Sequence, residues 1–340
     1  MTNRITSITD NIIKLCAIPS PTGFTNTIED YLKTLFDEMG YAVHQTKKGS
    51  IRVRLGGEGH PLLLSAHIDT LGAMVRSVKN NGRLRLTKLG GFPENNIEGE
   101  NCLIHTREGR HYTGTVQLTH ASVHVYDDVN TLKRDDTTVE VVIDEQVKNA
   151  QDVEKLGIMA GDVISFDPRT VVTESGFIKS RHLDDKASAA ILIELAKAVK
   201  EGEITLNRRV DILFTNYEEV GHGASTGIPD DIDEMVAIDM GAVGDDLKTD
   251  ETSVSICFKD SSGPYDYRLT TKLVAIAKKE NLNFALDTYP RYGSDAGAAL
   301  RSGMDAAFAL IGPGVSASHG YERTHKLGLD NTYQLLLKLV

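Results

Sequence analysis

The sequence predicts an α/β protein in which a mostly parallel mixed sheet is sandwiched by helices and interrupted by a small inserted β-rich domain. Three observations carry that expectation. The chain has 340 residues, beyond the size at which a single hydrophobic core keeps growing. Helical and strand-like periodicities alternate toward both ends of the chain, as they do in sheets covered on both faces. Between those regions, from about 71 to 166, short strand-like runs follow one another through Gly, Asn and Asp clusters with little helical signal.

Taken in order, residues 1–20 carry no basic start followed by a long apolar core. Their apolar side chains Ile5, Ile8, Ile12 and Leu15 fall at helical spacing and predict an opening helix. A second helix is expected over 27–39, with Ile28, Leu32, Leu35 and Phe36 on one face and Gly40 as its stop. Strands are expected at 41–43 and 51–55, and Pro61 opens an apolar run, 62–66, typical of a buried strand. The middle region reads as strands at 84–86, 103–106, 114–118 and 139–143, with one helix near 149–156. Beyond 173 the alternation resumes: helix 185–199, strands 210–215 and 236–238, helix 269–279, strands 284–287 and 306–311, and a closing helix over 332–339. The expected division is a discontinuous domain of 1–70 with 167–340, and an inserted domain of 71–166.

Bulk composition narrows the function. The formal net charge of −11 argues against nucleic-acid partners, which need clustered Lys and Arg, and against anionic membrane surfaces. No window approaches the ~18 apolar residues of a membrane span. Cys16, Cys102 and Cys257 form no close pair and no metal-type repeat, which fits a reducing cytoplasm.

Four acidic or histidine motifs fall at the ends of expected strands or just ahead of a helix, where open α/β sheets place their ligand sites. In Ala66-His67-Ile68-Asp69, residues two apart on an extended strand project to one face, which suits a metal-binding imidazole beside a supporting carboxylate. A strand-end histidine and a turn aspartate read equally well. His182-Leu183-Asp184-Asp185-Lys186 precedes a helix, where an acidic cap is an ordinary alternative. Glu218-Glu219 follows an apolar strand, where one carboxylate can bind metal while the other moves a proton; two solvated glutamates in a turn read equally well. Gly221-His222-Gly223-Ala224 lacks both the glycine fingerprint and the lysine of a phosphate loop. Asp239 closes another apolar strand, and 318–325 offers two imidazoles, His319 and His325. Jointly these are oxygen and nitrogen donors without thiolates, a set suited to Zn, Mn or Co.

The ordered set His67-x-Asp69, Asp184-Asp185-Lys186, Glu218-Glu219, Asp239 and His319 resembles the glutamyl/tetrahedral aminopeptidases, a family of co-catalytic dinuclear metallopeptidases. The resemblance extends to 18–24, to 157–162 and to Gly293-Ser294-Asp295-Ala296. It implies a zinc-aminopeptidase-like fold and two divalent ions per subunit, zinc foremost, with cobalt and manganese as alternatives. Asp184 would bridge them, His67 and Asp239 completing one site, Glu219 and His319 the other. Glu218 would be the general base, Asp69 would orient His67, and the Asp184–Asp185 peptide would be cis. The implied substrates are peptides, cleaved at their N-termini. The inserted domain would mediate dimerisation, with dimers building a homo-oligomeric dodecamer. Two departures stand out: Lys186 replaces the family's frequent arginine, and His319 is followed by Gly320 and Glu322, with His325 as a rival ligand. A dinuclear-metal deacylase acting on N-acyl amino acids is the alternative activity. Arg268, Arg291 and His222 are candidates for recognising an acidic side chain, or ordinary surface groups.

Overall fold

The computed structural model describes residues 3–340. They fall into two compact units, 3–69 with 169–340, and Thr70–Pro168.

The larger unit is built on a mixed sheet. Its centre is three parallel strands in register, Val210–Thr215, Leu62–His67 and Glu234–Ile238, followed by Ala307–Val315, also parallel. Antiparallel strands flank this centre, Ile51–Gly56 on one side and Val254–Asp260 on the other. The run Leu62–His67 is apolar nearly throughout because both of its faces are covered. Leu62, Leu64 and Ala66 enter one core with Ile212, Phe214, Val236 and Ile238, whereas Leu63 enters another with Leu213, Met235 and Leu310. The first core takes apolar side chains from all the long helices: Asn3–Ala17, Asn26–Glu38, Leu183–Lys200, Tyr267–Lys279 and Lys326–Leu339. The short helix Asp295–Arg301 supplies Ala296 and Ala299 to the second.

Several elements differ from expectation for local reasons. The strand expected at 41–43 begins at Val43, because the Tyr41 N–H bonds Phe36 O and closes the preceding helix. The last helix begins at Lys326 rather than 332; Gly328, which breaks the sequence pattern, is where the helix meets another segment. A Cβ there would lie 2.4 Å from Glu251 O.

The smaller unit is a closed antiparallel barrel of Gly72–Val78, Leu84–Leu89, Val139–Ile143, His111–Leu118, Asn101–His105 and Val163–Phe166. Val75, Leu86, Ile104, Val116, Val141 and Ile164 fill its interior at alternate positions. Its one α-helix among the described residues, Ala150–Lys155, starts where Asn149 Oδ1 accepts the Asp152 N–H. Among the described residues no helix is long and apolar enough to cross a membrane.

Leu64 packs at the middle of the central sheet with no exposure. Leu64→Ala is expected to lower the unfolding free energy by about 2–5 kcal/mol, read from the shift of the denaturant midpoint.

Candidate active site

Parallel strands in register end together. Thr215 lies opposite His67 and Ile238 opposite Ile311, so His67, the 216–219 turn and Asp239 collect at one edge of the sheet. The helix Leu183–Lys200 starts at the same edge. Its first turn is irregular: His182 is left-handed (φ 69°), Asp184 and Asp185 have non-helical dihedrals, and the peptide between them is cis. The Asp184 carboxylate lies at the strand ends, against His67. Beyond Ala307–Val315 the chain folds back through His319, itself at φ 62°, into the short strand Glu322–His325.

Two donor groups result. His67, Asp184 and Asp239 each place a ligand atom within 4.8 Å of the others, as do Asp184, Glu219 and His319. Asp184 belongs to both: Oδ1 lies 3.0 Å from His67 Nε2 and Oδ2 lies 3.4 Å from His319 Nε2. His319 Nε2 is 3.6 Å from Glu219 Oε2. Two ligands held tetrahedrally at about 2.1 Å from one ion sit about 3.4 Å apart, so these spacings suit shared cations. The oxygen and nitrogen donor set fits hard-to-borderline divalent metals.

The electrostatics point the same way. Burial drives the Glu218 and Glu219 carboxyls well above their ordinary range, with neighbouring carboxylates adding to it. Burial and Asp184 push Asp239 up to about 7. At Asp184 burial is outweighed by hydrogen bonds to His319 and His67, and the carboxyl is held low. Acidic groups crowded out of water in this way call for countercharge. Asp185 Oδ2 accepts the His67 N–H at 3.2 Å, and its Oδ1 is buried without a hydrogen-bond partner.

Asp69 meets His67, but through a different atom from the one expected. His67 Nδ1 donates to the Asp69 carbonyl at 2.9 Å, while the Asp69 carboxylate is 3.8 Å away. That carboxylate instead accepts the Glu218 N–H on Oδ1 at 3.1 Å and the Glu219 N–H on Oδ2 at 3.4 Å, with the Thr22 hydroxyl at 2.7 Å. Asp69 therefore fixes the ring of one histidine and the turn that carries both glutamates. That turn is bounded by Tyr217 at φ 62° and Gly221 at φ 83°. Glu218 Oε2 reaches to 3.8 Å from His67 Nε2.

Three further groups at this edge were not singled out from sequence as site residues. Thr22 is one. Asp295, buried, accepts the Ala224 N–H at 2.8 Å and the Thr215 hydroxyl at 2.7 Å, holding the loop after Glu219. A Cβ at Gly223 would lie 1.9 Å from Asp295 Oδ1, so the glycines of 221–223 serve backbone geometry and close approach. Glu322 accepts two main-chain N–H groups, and burial with nearby Asp184 pushes it up to about 8. Arg268, Arg291 and His222 are all solvent-exposed.

The M42 glutamyl aminopeptidase family model matches residues 49–335. The chain belongs to this family. It is thus a hydrolase, an exopeptidase of peptide N-termini. YhfE of Bacillus subtilis (strain 168), whose proposed activity is that of an aminopeptidase, is 48% identical over 327 residues, covering 96% of this chain and 94% of its own. The lysyl aminopeptidase of Pyrococcus furiosus is 22% identical, covering 94% of this chain and 91% of its own. Among solved structures, the TET1 peptidase of Pyrococcus horikoshii superposes with a TM-score of 0.85 at 22% identity, covering 98% of this chain and 99% of that one. At that identity the likeness shows the shared fold.

The two C-terminal histidines separate cleanly. His325 Nδ1 accepts the Leu327 N–H at 3.0 Å and Nε2 meets Ser175 O at 2.9 Å, so both ring nitrogens are engaged in capping and bracing the last helix. His325→Ala is expected to cost about 1 kcal/mol in denaturant unfolding and to leave hydrolysis of an aminoacyl anilide near wild type. His319→Ala is expected to do the reverse, abolishing most hydrolysis at little cost in stability.

Proposed function

We propose that the protein is a two-metal aminopeptidase in which His67, Asp184 and Asp239 hold one divalent ion and Asp184, Glu219 and His319 hold the other. The observation that carries this reading is the placing of Asp184, whose two oxygens face imidazoles from different segments of the chain at 3.0 and 3.4 Å. Zinc is the first choice of metal, with cobalt and manganese compatible with the same donors.

When bound, a pair of such ions acidifies water and polarises a carbonyl. The remaining chemistry falls to side chains of this chain. Glu218 is the general base: it takes a proton from the water that attacks the peptide carbonyl, then returns it to the leaving amine. Asp69 keeps Glu218 over the donor groups through its peptide N–H and holds His67 by the ring, so that Nε2 points inward. A free amine could be held by one of the ions or by a nearby carboxylate, which supports selection of free peptide N-termini over blocked ones.

The barrel unit Thr70–Pro168 is proposed to form the dimer contact, and dimers to build a closed homo-oligomer such as a dodecamer. Support comes from the Pyrococcus horikoshii relative, described as assembling into a tetrahedron or a large octahedral shell. A cytoplasmic setting is proposed from the three cysteines, all free and buried.

Chelation is expected to abolish cleavage of aminoacyl anilides, and zinc, cobalt or manganese to restore it. Glu218→Gln should keep bound metal while losing about 10²–10⁴-fold in turnover. Undiminished turnover in that variant would strip Glu218 of its role. Hydrolysis of N-acyl amino acids in place of aminoacyl anilides would instead assign the centre to a deacylase.

A further inference from the structure

The two donor groups share Asp184, yet their other members come from separate stretches of chain that are irregular where they matter. His319 lies at φ 62° with Ala317 at φ 55°, and Asp184 has non-helical dihedrals after the left-handed His182. Neither main-chain N–H is part of a sheet ladder. One side chain takes both. Glu322, only 2% exposed, accepts the Asp184 N–H on Oε2 at 3.1 Å and the His319 N–H on Oε1 at 2.9 Å. Its own strand pairs with Phe177–Ser180, with Ser180 opposite Glu322, so its backbone is anchored to the segment leading into Asp184.

We propose that Glu322 is a positioning residue whose carboxylate sets the separation of Asp184 and His319 and thereby the shape of the Asp184–Glu219–His319 group. The inference rests on the two-ion reading above. A carboxylate is suited to the task because it accepts at both oxygens, whereas an amide accepts at one and donates at the other. Burying an acid is costly, and the two N–H groups, together with the cations of the proposed centre, favour the charged form in which both oxygens accept. Removing one acceptor leaves a buried N–H without a partner and frees either Asp184 or His319 to shift. Since His319 belongs to one group alone, the ion in that group is the one affected more.

The test compares full-length wild type, Glu322→Gln and Glu322→Asp. A control on the same strand is Thr324→Val: the Thr324 hydroxyl donates to Gly314 O at 2.7 Å and belongs to neither donor group. Each protein is stripped with a chelator, then titrated with Zn²⁺ by calorimetry and with Co²⁺ by visible absorption, and its Tm is measured. Wild type is expected to bind two ions. Glu322→Gln is expected to lose about 10–100-fold in affinity at one of them, with a changed cobalt band, while Thr324→Val loses Tm and keeps both affinities. Glu322→Asp, which keeps the charge on a shorter arm, should fall between wild type and Glu322→Gln.

Wild-type affinities and an unchanged cobalt spectrum in folded Glu322→Gln would overturn the proposal. So would an equal loss of affinity in Thr324→Val at matched Tm, since the effect would then be one of stability alone. Should Glu322→Gln fail to fold, Glu322→Asp decides between the same outcomes. A wild-type protein that takes up fewer than two ions is a separate failure, of the two-ion reading itself.

Discussion

Carboxyl groups packed against one another out of water at a single sheet edge are the constraint around which the larger unit is arranged. Like charges at such spacing repel, and each group loses hydration as well. The fold meets this with directed N–H groups at the carboxylates that support the centre. Asp69 receives the Glu218 and Glu219 amides, Glu322 receives those of Asp184 and His319, and Asp295 receives that of Ala224. These bonds do two things at once. They stabilise buried negative charge, and they fix the backbone of the residues whose side chains form the centre.

The sheet makes that arrangement possible. Parallel strands in register bring their last residues to one line, so His67, the 216–219 turn and Asp239 converge without long loops. Helix Leu183–Lys200 is buried along most of its length, which fixes the start of the helix against the strand ends. Left-handed residues appear at three of the points where the chain leaves regular structure to present these groups: His182 before Asp184, Tyr217 before Glu218 and Glu219, and His319 itself. Bulky side chains in that region of backbone space are uncommon, and their concentration here fits a site where local geometry serves chemistry.

Much of this was legible in the sequence. Strand 210–215 and the buried run from Leu62 stand out because burial on both faces makes them largely apolar. Helix 185–199 is readable from its Ala, Leu and Ile content. Elements whose stability comes from their neighbours left little trace. Glu322–His325 is polar and short, Phe177–Ser180 pairs with it, and Asp295–Arg301 is a seven-residue helix rich in small residues. The site shows the same division. Its histidines and acids are visible as residue types at strand ends, and the resemblance orders them. Thr22, Asp295 and Glu322 were not assigned roles, because a side chain that serves main-chain N–H groups has no partner residue type to mark it. Asp69 was visible as a residue, but the division of labour between its carbonyl and its carboxylate is a matter of coordinates alone.

Lys186 illustrates how a departure from a family pattern can be structural in its cause. Its position directly after Asp184 and Asp185 suggests a role in supporting the centre, and an arginine there could fork toward carboxylates. The lysine points elsewhere. Nζ donates to Leu15 O at 2.8 Å and Ile18 O at 2.7 Å, where helix Asn3–Ala17 ends. Carbonyls at a helix C-terminus carry partial negative charge and lack intrahelical donors, so a compact ammonium satisfies both needs. Burial pushes this amine down to about 8, and nearby Cys16 and Asp69 offset the shift only in part. The residue therefore pins the opening helix to the first turn of Leu183–Lys200 and leaves orientation of the donors to Asp69, Asp185 and Glu322. A guanidinium would have to place its additional N–H groups in the same enclosed space, and the carbonyls of Leu15 and Ile18 offer a small, localised target better matched to a single nitrogen.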